Sequence, residues 1–158
     1  LFDHCTSQCD YLIASIHHAP LFRDLPVARA TDLYLKALSH PKVLMAGHMG
    51  RAGVPFDTTA VLEYCRAEGR LVEINEHSLD FSPSEVPGHC RELACACAEA
   101  GVMVAVNTDA HISCDVGRAP KALAMLEEVH FPQELVATRS AEAFLGAVTR
   151  VAGPVEGL

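Results

Sequence analysis

Val43-Leu44-Met45-Ala46-Gly47-His48 and Leu71-Val72-Glu73-Ile74-Asn75 are two short apolar runs, each closing on a polar residue. Between them, Asp57–Glu68 carries Val61, Leu62 and Cys65 at helical spacing, with Asp57 suited to the N-cap and Gly69 to the stop. Two more runs of the same kind, Tyr11–Ile16 and Val102–Val106, complete a set of four. Their starts lie about thirty residues apart, the length of one strand–helix unit. Further helices are predicted at Thr31–Ser39, Gly88–Ala100 and Ala119–Val129, and after a capping Ser140. A weaker fifth strand is predicted at Leu135–Ala137. Alternating units of this kind imply an α/β fold with a parallel sheet covered by helices. An open doubly wound sheet and a barrel both satisfy the pattern. The segments Ala19–Ala30 and Glu76–Pro87 form longer connections, a common place for functional residues.

The chain has 158 residues, half of them apolar, enough for one domain or a large part of one. Residues 1–150 are predicted to form that domain, with 151–158 as a flexible tail. Twelve Lys and Arg against 20 Asp and Glu give a formal net charge of −8, which argues against a nucleic-acid backbone as the main partner. No apolar run reaches the roughly 18–20 residues of a membrane helix, so no span is predicted. Seven cysteines cannot all pair within the chain, and no CxxC occurs. Reduced thiols and a cytoplasmic location follow as expectations. Cys95 and Cys97 fall on different faces of one helix and read as core-fillers rather than a metal pair.

Unusual polar residues collect where the strands end. The first run closes on His17-His18, the second on His48 and the third on Asn75. The fourth closes on Asn107-Thr108-Asp109-Ala110-His111. In barrels and open α/β sheets the carboxyl ends of parallel strands carry the active site. Imidazole and carboxylate are the ordinary ligands of zinc, manganese or iron. Each residue also has a plainer role open to it. His17 and His18 point opposite ways, so one at most faces a common cavity. Asp109 suits a turn, Asn75 a cap, and Glu73 an ion pair with a basic residue. His4, His40, His77, His89 and His130 read as ordinary. Gly47–Arg51 lacks the spacing and the Lys of a phosphate-cradling loop, although Arg51 could meet an anion.

Ala14–His17, Gly47–Gly50, Leu71–Asn75, Cys90–Ala94 and Asn107–His111, in that order, resemble the later half of the PHP (polymerase and histidinol phosphatase) superfamily. The nearest branch is that of the stand-alone bacterial PHP phosphatases. The resemblance implies the C-terminal portion of a distorted (β/α)7 TIM-like barrel, carrying up to three divalent metal ions. By position, His17 and His48 would ligate one metal, Asp109 a second and His111 a third, with no catalytic residue beyond these ligands. The implied reaction is hydrolysis of a small phosphate monoester by a metal-bound hydroxide. Two departures stand out. Met49 replaces the usual Pro, and the family's early His-x-His strand and bridging Glu have no counterpart upstream of Leu1. The partial domain is therefore expected to lack the first three strands and to have little activity alone. A non-catalytic or proofreading PHP module of a larger protein, such as a DNA polymerase, is the alternative. An amide-cleaving metallohydrolase ranks below both, because no strand end offers a bridging Lys.

Overall fold

The computed structural model describes residues 2–17, 24–51, 53–80, 85–155 and 157. Its elements are α1 (Phe2–Ser7), β1 (Leu12–Ser15), α2 (Val27–Leu38), β2 (Val43–Gly47) and α3 (Thr58–Glu68). They continue with β3 (Leu71–Asn75), α4 (Val86–Ala100), β4 (Val104–Asn107), α5 (Pro120–Glu128) and α6 (Ala141–Ala152). The four strands lie side by side in chain order and every pairing is parallel. Each strand is followed by a helix, so every carboxyl end falls on the same edge of the sheet.

One face of the sheet carries α2 to α5. Val43, Ala46, Val72, Ile74 and Val104 share a core with Tyr34 and Leu38 of α2 and Cys65 of α3, extended by Leu93 and Cys97 of α4 and Met125 of α5. The other face is covered toward the amino-terminal half of the strands, where Leu44, Met45, Leu71 and Ala105 meet Ala147 and Val148 of α6. Tyr11 and Phe144 close that layer edge to face, with ring centroids 5.6 Å apart. A strand order that never reverses, with four helices in one layer, is compatible with part of an α/β barrel.

Local chemistry sets the boundaries. The Asp57 carboxylate accepts from Ala60 N–H at 3.0 Å and Gly69 takes the left-handed conformation, φ 68°, so α3 starts and stops as predicted. The Ser140 hydroxyl accepts from Ala143 N–H at 3.1 Å and opens α6. Helix α2 begins at Val27, ahead of the predicted Thr31, because the Pro26 carbonyl accepts from Arg29 and Ala30. Strand β4 begins at Val104 rather than Val102, since Val102 N–H still closes the α4 turn on Cys97 O at 2.9 Å.

The fifth strand predicted at Leu135–Ala137 does not form. Val136 makes one parallel bridge to Val104, between 3-10 turns at Gln133–Leu135 and Ala137–Arg139. The Arg139 guanidinium donates to Val136 O at 2.9 Å, and Val106 N–H goes to Thr138 Oγ1. The ladder's hydrogen bonds are thus taken by side chains. Among the described residues no helix is long and apolar enough to cross a membrane.

Candidate active site at the strand ends

His17 and His48 follow β1 and β2, and their rings meet at 4.9 Å between centroids with planes at 76°. His17 is exposed, whereas His48 is only 8% exposed. His18 lies outside the described residues. His48 has φ 33°, an uncommon conformation for a residue with a Cβ. Its backbone N–H donates to Glu73 Oε2 at 2.7 Å. Glu73 Oε1 in turn accepts from Asn107 Nδ2 at 2.9 Å. Glu73 therefore engages an amide and an asparagine, not the basic residue expected from sequence. His48 Nδ1 is buried and has no hydrogen-bond partner among the described residues. Burial pulls the His48 pKa down, and the nearby Arg51 charge adds to this, against the opposing pull of Glu73. The shift favours the neutral ring, the form whose lone pair can meet a cation.

The β4 end supplies Asp109 and His111. Asp109 also has a positive φ, 52°. His111 Nδ1 lies 2.8 Å from the Asp109 carbonyl oxygen, which fixes the ring against its own loop. Arg51 joins the two halves: its N–H donates to His48 O at 2.9 Å, and Nη1 lies 3.4 Å from Asp109 Oδ2. Asp109 and His111 line a cavity of about 440 Å³ together with His77, Thr108, Arg118 and Lys121. The His77 and His111 rings are 5.1 Å apart, so His77, read from sequence as ordinary, belongs with the site. The signal for it was its place two residues beyond Asn75 at the end of β3. Asn75 has the plainer role: its Oδ1 accepts from Ser78 N–H and Oγ–H, both at 2.8 Å, and caps the His77–Asp80 turn.

Two further contacts, neither anticipated from sequence, hold these loops. The Glu76 carboxylate accepts from Lys121 N–H at 3.2 Å and Ala122 N–H at 2.7 Å, capping α5 from another loop. Lys121 Nζ also pairs with Asp80. Gly50, in the turn after His48, rests on Cys90 at the start of α4. At the opposite edge, Lys42 Nζ donates to the carbonyls of Thr6, Ser7 and Cys9 and so has no place at the strand ends.

The paired His17 and His48 imidazoles, with one buried ring nitrogen that has no partner among the described residues, fit a divalent cation. They fit as part of a shell: among the described residues no three His, Cys, Asp or Glu side chains converge closely enough to hold a metal alone.

No family model matches the chain. Its relatives are more informative. The chain is 37% identical over 135 residues to a protein named "probable phosphatase" from Caldanaerobacter subterraneus subsp. tengcongensis, covering 85% of this chain and 53% of that one. A Clostridium acetobutylicum protein of the same description is 33% identical over 130 residues, 82% of this chain and 53% of its own. Another, from Shewanella sp. strain ANA-3, is 29% identical over 149 residues, 94% of this chain and 59% of its own. The chain is similar to proteins named probable phosphatases. It spans about half the length of the curated relatives it matches.

Proposed function

We propose that this chain is the later part of a PHP-type, metal-dependent phosphoesterase acting on small phosphate monoesters. On this reading residues 1–150 are part of one domain, and β1 to β4 are four strands of a (β/α)7 barrel. The observation that carries the proposal is the buried Nδ1 of His48, without a partner among the described residues, on a ring 4.9 Å from that of His17 at the carboxyl edge of a parallel sheet. The similarity to proteins named probable phosphatases supports the same chemistry.

His17 and His48 would hold one divalent cation, with Asp109 and His111 contributing to neighbouring ones. The remaining ligands would come from the part of the relatives' length that this chain does not span. Bound there, a divalent cation neutralises phosphoryl charge and makes a bound water more acidic. The chain's own residues do the rest. Burial favours the neutral His48 ring, the form whose lone pair is a donor. Arg51, between the His48 turn and Asp109, offers a guanidinium to a phosphate oxygen.

Metal content measured by elemental mass spectrometry tests this reading. The wild-type chain should retain zinc, manganese or iron, and the double variant His48→Ala, Asp109→Ala should lose it. A folded wild type that is metal-free, with a longer protein containing it also metal-free, would overturn the proposal.

A further inference from the structure

Glu73 is, with Glu76, one of two buried carboxylates among the described residues that the donor set leaves unused. It is 7% exposed, and among the described residues it forms no ion pair with Lys or Arg. Burying a carboxylate without a counter-charge is costly, so its place needs a reason. Both oxygens have assigned donors: His48 N–H at 2.7 Å and Asn107 Nδ2 at 2.9 Å. Those donors sit at the ends of β2 and β4, and Glu73 itself is on β3, so one carboxylate ties three adjacent strand ends together. Gly47, beside it, lets β1 pack closely on β2. A Cβ there would collide with Ser15 Oγ and press on Ile13 Cγ2 at 3.0 Å, while meeting Glu73 Oε2 only in ordinary contact at 3.4 Å.

The residue so held is one of those with a positive φ and a Cβ. His48 adopts φ 33°, which a residue with a Cβ keeps only when its surroundings enforce it. A charge-assisted hydrogen bond to its own N–H is such an enforcement. We infer that Glu73 is a positioning residue: its carboxylate clamps the His48 backbone and, through Asn107, the neighbouring strand end, so that the His48 ring stays against His17. The same negative charge, hydrogen-bonded to the His48 backbone, would also favour a cation held by the His48 ring. This second effect rests on the metal-site reading above; the clamp does not.

The test uses the whole chain with Glu73→Gln and Glu73→Ala, followed by amide and imidazole NMR and by titration with Zn²⁺ alone. Gln keeps an acceptor but removes the charge, so the His48 amide proton should move upfield while its ring contact with His17 persists. Ala removes the acceptor. His48 amide exchange should then quicken about tenfold or more and the His17–His48 ring contact should be lost, while Val72 and Val104 in the sheet core keep their protection. Zn²⁺ binding should weaken about tenfold or more in the Ala variant, the size expected for a residue supporting a ligand. A folded Ala variant with unchanged His48 exchange and ring contact would overturn the inference. If Ala does not fold, Gln decides, and an unmoved His48 amide proton overturns it. If the His48 amide responds but neither the wild-type chain nor a longer protein containing it takes up Zn²⁺, the metal reading is overturned and the clamp stands.

Discussion

Gly50→Ala should destabilise the chain through one contact. A Cβ at Gly50 would lie 2.8 Å from Cys90 Sγ, 3.0 Å from Cys90 Cα and 3.2 Å from Cys90 N. Ordinary contacts between carbon atoms are about 3.5–4.0 Å, so the Met49–Arg51 turn has to retreat by roughly 0.5–1 Å. The thiol can swing aside, but Cα and N belong to the backbone of α4. Overpacking of this kind costs about 1–3 kcal/mol. Replacing glycine also stiffens the unfolded chain, which returns about 0.4–1 kcal/mol. The net is a loss centred on about 1.3 kcal/mol, within about 0–2.6, or a fall in Tm of about 3–5 °C for a chain of this size. Thermal unfolding followed by circular dichroism measures it. A double-mutant cycle with Cys90→Ala locates it: truncating the thiol should recover at most about half, because the backbone contacts remain. An unchanged or raised Tm, or full recovery with Cys90→Ala, would refute the argument from backbone contact.

Glu76→Ala should cost about 1–2 kcal/mol in urea denaturation, because the first turn of α5 loses both acceptors for Lys121 and Ala122 N–H; a loss below about 0.3 kcal/mol would show that water caps the helix equally well. Burial pushes the Cys65 and Cys97 thiols up to about 12 and Cys90 up to about 11, from an ordinary value of 9.0. The folded chain thus keeps protons that the unfolded chain releases. The stability these thiols confer is whole below pH 9.0 and is lost as pH rises through the folded values. The loss is up to about 1.4 kcal/mol per thiol per pH unit, so urea midpoints should fall between pH 8 and 10 and less so in a Cys97→Ala variant. Equal falls in the two would contradict the raised thiol pKa.

The parts of the fold that depend on local chemistry were legible. Asp57, Gly69 and Ser140 act through their own φ and their own side chains, so the ends of α3 and α6 could be read from sequence. The apolar runs at β2 and β3 are buried along their whole length, which makes the signal strong. Leu135–Ala137 failed because neighbouring side chains compete with the ladder: Arg139 donates to Val136 O and Thr138 Oγ1 takes Val106 N–H, the hydrogen bonds that a strand would need. Gathering His17, His48, Asp109 and His111 on one edge needed only strand direction, since parallel strands share their carboxyl ends. His77 was passed over because nothing in its neighbours shows that its turn brings it to His111.

The order of short apolar runs and helices determined an α/β chain with parallel strands and polar strand ends. Periodicity and capping act over a few residues and need no knowledge of the rest. What each polar residue touches was decided by the tertiary structure alone. Glu73 and His48 are 25 residues apart in sequence yet 2.7 Å apart in space. Arg51 and Asp109, 58 apart, meet across two strands. The register of β3 against its neighbours makes Glu73 a clamp on His48, and no pattern within a single segment encodes that register.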